Sequence, residues 1–149
     1  MKRCRPDIEP TISFLTTRVA NPNFKDWEKL KRCLQFLHNT VDDKRIIGTD
    51  SLGMIYTWID AAYAVHPNMR SHTGGSMSMG TGVLHCKSTR QKLNTKSSTE
   101  AELVGVSDYI PYNIWLMYFL KHQGFELEVN VLYQDNQSAM KMEKNGRNS

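Results

Sequence analysis

Ile55-Tyr56-Thr57-Trp58-Ile59-Asp60 alternates Ile55, Thr57 and Ile59 with Tyr56, Trp58 and Asp60. A period of two in β-branched and aromatic residues is the pattern of a strand with one face turned to a core. Before about residue 45 the period is helical instead. Ile8, Ile12, Leu15 and Val19 fall on one helical face, and after Asn21-Pro22-Asn23 the residues Trp27, Leu30, Leu34 and Leu37 recur at three-to-four spacing with Lys and Arg opposite. Two amphipathic helices joined by a Pro-Asn turn are expected there, then a polar, turn-rich linker from Val41 to Gly53. The change of period divides the chain into 1–45 and 46–149.

Downstream of the first strand, His66-Pro67-Asn68 reads as a turn. The stretch from Ser71 to Gly82 is small, polar and rich in Gly, and Val83 to Ser88 has strand character. Together they predict a three-strand meander. In Ser97-Ser98-Thr99-Glu100-Ala101-Glu102, both Ser97 with Glu100 and Thr99 with Glu102 match a capping box. The apolar series Leu103, Val106, Ile110, Ile114 and Met117 continues the helix toward Gly124, and Pro111 is expected to kink or split it. Val129, Val131 and Tyr133 lead into Asp135 as a fourth strand, with a short helix from about Gln137 to Asn145-Gly146. The order is β-β-β-α-β-α behind two helices.

Composition narrows the class. The 149 residues are 40% hydrophobic and 23% charged, which is globular rather than disordered. No apolar stretch has the length of a membrane span, and Met1-Lys2-Arg3-Cys4-Arg5-Pro6 lacks the apolar centre of a signal peptide, so an intracellular protein with no membrane partner is expected. Cys4, Cys33 and Cys86 form an odd, scattered set, which argues against disulfides and against zinc. A net charge of +4 leans weakly toward polyanionic partners. The leaning is local: Lys87, Arg90, Lys92 and Lys96 lie in a stretch without an acid. Such a run is either a solvated strand and loop or a phosphate-facing edge.

Three acids sit at the ends of predicted elements. Asp60 ends a strand, Glu102 lies in the first turn of a helix, and Asp135 ends another strand. Each has an ordinary reading: a turn-starting Asp, the capping partner of Thr99, and the N-cap of the last helix. If they converge, three carboxylates repel one another unless cations are present, and their oxygens suit Mg²⁺ or Mn²⁺.

Several motifs resemble one family in order. Trp58-Ile59-Asp60-Ala61, Arg70-Ser71-His72-Thr73-Gly74-Gly75, Lys87 to Lys92, Ser97-Ser98-Thr99-Glu100-Ala101-Glu102-Leu103 and Tyr133-Gln134-Asp135-Asn136-Gln137-Ser138-Ala139 resemble the RNase H region of Ty1/copia-type retrotransposon polyproteins. Arg5-Pro6-Asp7-Ile8, Asn21-Pro22 and Trp27 to Leu37 resemble the thumb or connection end of the preceding reverse transcriptase. The resemblance implies an α/β, RNase H-like mixed sheet in strand order 3-2-1-4, over residues 46–149, behind a helical remnant at 1–45. It implies hydrolysis of the RNA strand of RNA–DNA hybrids with two Mg²⁺ (or Mn²⁺) ions. Asp60, Glu102 (rather than Glu100) and Asp135 would be the catalytic metal ligands. Gly74, Gly75, Lys87, Arg90, Lys92, Asn94 and Lys96 would face the hybrid backbone, and the rest of the polyprotein would be a partner.

Two departures accompany it. Ala62 stands where many relatives carry a second acid, and the family's fifth strand and a fourth metal-binding Asp have no counterpart before Ser149. Glu143 does not match that motif. Weak or absent activity is therefore expected of this chain alone, and an inactive, at most nucleic-acid-binding remnant is the alternative. No polymerase activity is expected.

Overall fold

The computed structural model describes residues 4–146, so the extreme start Met1-Lys2-Arg3 and the last three residues lie outside the description. A 3-10 turn at Pro6–Ile8 leads into α1 (Glu9–Thr16), followed by α2 (Phe24–Asn39). Then come β1 (Met54–Ala62), β2 (His72–Ser78), β3 (His85–Arg90), α3 (Ser98–His122), β4 (Val129–Tyr133) and α4 (Gln137–Asn145). The four strands form one sheet in the order β3-β2-β1-β4. β1 pairs antiparallel with β2 and parallel with β4, and β2 pairs antiparallel with β3. Parallel neighbours need a long crossover, and α3 is that crossover between β1 and β4. The expected α/β class, element order and strand order are all present.

The period-two reading of β1 is visible as burial. Ile55, Thr57, Ile59 and Ala61 are buried, while Trp58, Asp60 and Ala62 are exposed on the opposite side. The core joins Ile55 and Ile59 to Met77 and Met79, and to Val106, Tyr109, Leu116 and Leu120 of α3. One polar link crosses it. Asn113 donates to Thr57 Oγ1 and exchanges two hydrogen bonds with Asn130, each at 2.8 Å, tying α3 to β1 and β4. A buried amide is tolerable in a core only when paired in this way.

Small residues let α3 lie close to the sheet. Ala101 is fully buried, and a Cβ added at Gly105 would meet Ala61 Cβ at 3.4 Å. Gly75 is tighter still. A Cβ there would fall 2.2 Å from the Tyr109 ring, so the absence of a side chain on β2 is what admits that tyrosine to the core.

Some local expectations are corrected. α1 ends at Thr16, and Val19, placed on its apolar face by the spacing, is 74% exposed. α2 forms as expected, capped by Asn23 and Asp26, but Trp27 and Leu34 on its apolar side are exposed. The third strand begins at His85 rather than Val83, because Gly80 and Gly82 adopt positive φ and carry the turn further along the chain. β1 continues two residues past Asp60, and β4 stops two residues before Asp135. α3 is neither split nor ended at Pro111. Pro111 is exposed, and so is Ser107, whose carbonyl is the one deprived of a helical donor. Water can serve that carbonyl, which keeps the proline tolerable.

The β3 edge is covered from the N-terminal side. Glu9 of α1 is buried, and its carboxylate accepts from the Ser88 N–H (3.2 Å) and from the Cys86 thiol (3.0 Å). An edge strand presents unpaired N–H groups, and Glu9 satisfies one of them. None of the three cysteines forms a disulfide.

Candidate metal centre

The β1–β4 ladder ends at Trp58↔Tyr133, although β1 runs on to Ala62. Past that end the backbone of β1 has no β4 partner, and the Ala61 N–H donates to Glu102 Oε1 at 3.2 Å. Glu102 is the fifth residue of α3, past the first turn where the sequence placed it, because Ser97 and not a later residue caps the helix. Its bond pins this part of α3 to the open end of the parallel pair. The carboxyl ends of parallel strands are where open α/β sheets leave a crevice. Asp60 lies beside it on β1, and Asp135 follows β4 after Gln134. One ligand atom from each of Asp60, Glu102 and Asp135 lies within 4.8 Å of the others.

The ordinary explanations of the three acids do not hold in this geometry. Ser97 caps α3, accepting from the Glu100 N–H at 3.1 Å, so Glu102 is no capping partner. Asn136 caps α4, accepting from Ala139, so Asp135 is not the N-cap. Asp60 lies inside β1, opposite Gly74, and starts no turn. Glu102 is only 4% exposed, and burial pushes its carboxyl above the ordinary range. Asp60 and Asp135 push it further in that direction, against the lowering effect of the Ala61 N–H and the Gln134 side chain. A divalent cation among the three would relieve both the burial and the like-charge cost. Hard oxygen donors at this spacing suit Mg²⁺ or Mn²⁺.

Asp60 and Asp135 also border a groove of about 570 Å³ on the face of the sheet away from α3. Its floor includes Gly74 and Ser76, its far wall is Glu9 and Pro10, and Trp58 and Tyr133 stack at its side with ring centroids 5.4 Å apart.

The residues expected to face nucleic acid are dispersed. Gly74 lies on the groove floor beside Asp60. Gly75 has a packing reason of its own in Tyr109. Lys87 lies along the groove, but its ammonium sits 3.2 Å from the Tyr112 hydroxyl of α3. Arg90 ends β3 in solvent. Lys92, Asn94 and Lys96 are exposed on the loop into α3. That loop is held by buried Gln91, which bonds Thr73 Oγ1 and the Ala101 carbonyl, and by Thr95, whose hydroxyl is 2.8 Å from that of Ser71. These anchors leave the basic side chains outward.

Across nearly its whole length the chain resembles mobile-element polyproteins. It is 32% identical to the Retrovirus-related Pol polyprotein from transposon TNT 1-94 of Nicotiana tabacum over 142 residues, covering 95% of this chain and 11% of that protein. It is 28% identical to the Retrovirus-related Pol polyprotein from transposon RE2 of Arabidopsis thaliana, over 91% of this chain and 9% of the relative. The Transposon Ty1-JR1 Gag-Pol polyprotein of Saccharomyces cerevisiae is 25% identical over 94% of this chain and 8% of its own length. The chain is homologous to a segment of Ty1/copia-type retrotransposon polyproteins. This polyprotein segment spans about a tenth of the length of those relatives. No protein-family model and no solved structure matches it.

Sequence reasoning did not find every residue of the retrotransposon segment's groove. Glu9 gave no signal, because nothing in a helical heptad marks one acid as destined for a distant strand. Tyr133 and Gln134 belong to the Tyr133-to-Ala139 motif, in which the resemblance assigns a role to Asp135 alone.

Proposed function

We propose that this segment is an RNase H-type nuclease region that hydrolyses the RNA strand of RNA–DNA hybrids. The observation that carries the reading is the convergence of Asp60, Glu102 and Asp135 from three separate elements, none of them used as a cap or a turn. Homology to Pol polyproteins is consistent with it, and so is the RNase H-like strand order. Two divalent ions held by these carboxylates would supply an activated water, stabilise the leaving 3′ oxygen and neutralise charge at the phosphate.

The chain's own part is positional. Glu102 is fixed by the Ala61 N–H, and Asp60 and Asp135 are held on either side of the β1–β4 opening. Gly74 keeps the neighbouring floor free of side chains. Exposed Arg90, Lys92 and Lys96, with Asn94, provide charge and polar contacts for a nucleic-acid backbone along the β3 edge. The rest of the polyprotein is the natural partner, since the relatives extend far beyond this segment.

The test is cleavage of a labelled RNA–DNA hybrid in Mg²⁺ and in Mn²⁺ by wild type and by Asp60→Asn. Metal-dependent cleavage lowered at least about a hundredfold by the substitution is expected, since charge-stabilising groups at a reacting centre carry effects of that order. Cleavage that persists at the wild-type rate would refute the site assignment.

A further inference from the structure

Gln134 stands between the last residue of β4 and Asp135. Its amide nitrogen is 3.5 Å from Glu102 Oε2, at the limit of hydrogen bonding, and its amide oxygen is buried with no partner among the described residues. Leaving a buried carbonyl unpaired is destabilising, so an apolar side chain would serve packing alone better than glutamine does. Glu102 is one of the three acids that face each other at the end of the sheet, and its two oxygens are divided between Ala61 and Gln134. Gln134 borders the same groove as Asp60 and Asp135.

We propose that Gln134 is a positioning residue for the acidic centre, holding the Glu102 carboxylate through its amide nitrogen and offering its unpaired amide oxygen to water carried by a bound divalent cation. The inference rests on the metal-site reading above. It adds to that reading a reason for glutamine here: neither a purely apolar nor a purely donating side chain can do both tasks. Groups that orient metal ligands from behind typically change metal affinity by about 10–100-fold when removed.

The experiment is a Mn²⁺ titration of the whole chain by calorimetry, with thermal unfolding measured in chelator. Wild type, Asp60→Asn, Gln134→Met and Gln134→Ala are compared. Gln134→Met keeps the volume and removes both polar atoms. It is expected to bind Mn²⁺ about 10-fold or more weakly while its metal-free unfolding temperature stays equal to wild type or rises. A merely structural glutamine would show the reverse, a lower metal-free unfolding temperature with affinity unchanged, and that result overturns the proposal. Gln134→Ala must show the same loss of affinity even if a cavity lowers its stability. If wild type binds Mn²⁺ but both Gln134 variants match it within twofold, the inference falls and the metal site stands. If wild type binds no better than Asp60→Asn, both fall.

Discussion

Two helices of this chain differ in kind and in fate: α2 is polar with an apolar stripe, whereas α3 carries apolar residues on nearly every side, Trp115 and Tyr118 in solvent among them. α3 lies across the sheet and buries Ala101, Gly105, Val106, Tyr109, Asn113, Leu116 and Leu120. α2 has its apolar stripe at regular spacing, yet only Asp26 and Cys33 are buried in it, and Phe24, Trp27 and Leu34 face solvent. Hydrophobic periodicity states that a helix has a face. It does not state that a partner surface is present to cover it. α3 has its sheet in the next segments of sequence, whereas α2 touches α1, and α1 in turn touches β3. The difference teaches that the end of the molecule carrying the three acids rests on a core that α3 completes, while the helical hairpin meets the sheet through α1 at β3, with Glu9 bonded to Cys86 and Ser88.

That comparison can be broken from either side. The largest effect is expected at Gly75→Val, which drives a side chain into the Tyr109 ring at the centre of the core. A loss of about 3 kcal/mol in urea unfolding is expected, from overpacking that cannot be relieved by a flexible neighbour. A loss under about 1 kcal/mol would mean that α3 is less firmly seated than argued.

Glu9→Ala should cost less, about 1 kcal/mol, by leaving the half-buried Ser88 N–H without its acceptor. Faster amide hydrogen exchange at Ser88, with protection in β1 unchanged, is the expected readout. Equal protection in both proteins would show that α1 is not held to the β3 edge by this contact.

The smallest effect belongs to the other region. Trp27 is 59% exposed, and Trp27→Ser should change stability by no more than about 0.5 kcal/mol. A drop several times larger would place Trp27 in a core of its own and erase the contrast between the two helices.

The element order and the alternation in β1 were legible in the sequence, because each depends on short-range pattern. The strand order came only from the family resemblance, and Ser97 and Thr99 were equal candidates for the cap of α3 until the structure chose Ser97. The three acids were legible near the ends of expected elements, although β1 runs two residues past Asp60 and β4 stops two residues before Asp135. Their ordinary readings could not be dismissed from sequence, since a cap and a metal ligand ask for the same residue types. It took the actual caps, Ser97 and Asn136, to remove them. The errors were also local in kind. Val19 was read into a helix that stops at Thr16, and of the kink or split expected at Pro111 the split does not occur. At Pro111 the deciding factor was the exposure to solvent of Ser107, the residue whose carbonyl loses its helical donor, which spacing does not report.

By itself, then, the sequence determined which segments are strands and helices, and which three acids lie on or next to them. Only the tertiary structure decided that Glu102 reaches past the end of the β1–β4 ladder to the Ala61 N–H, that Glu9 covers an edge 79 residues away, and that Gln134 keeps a buried oxygen unpaired beside the acids. The physical reason is range. Propensity and periodicity act over a few residues, while a carboxylate's partner and its burial are set by whichever segments the sheet brings alongside.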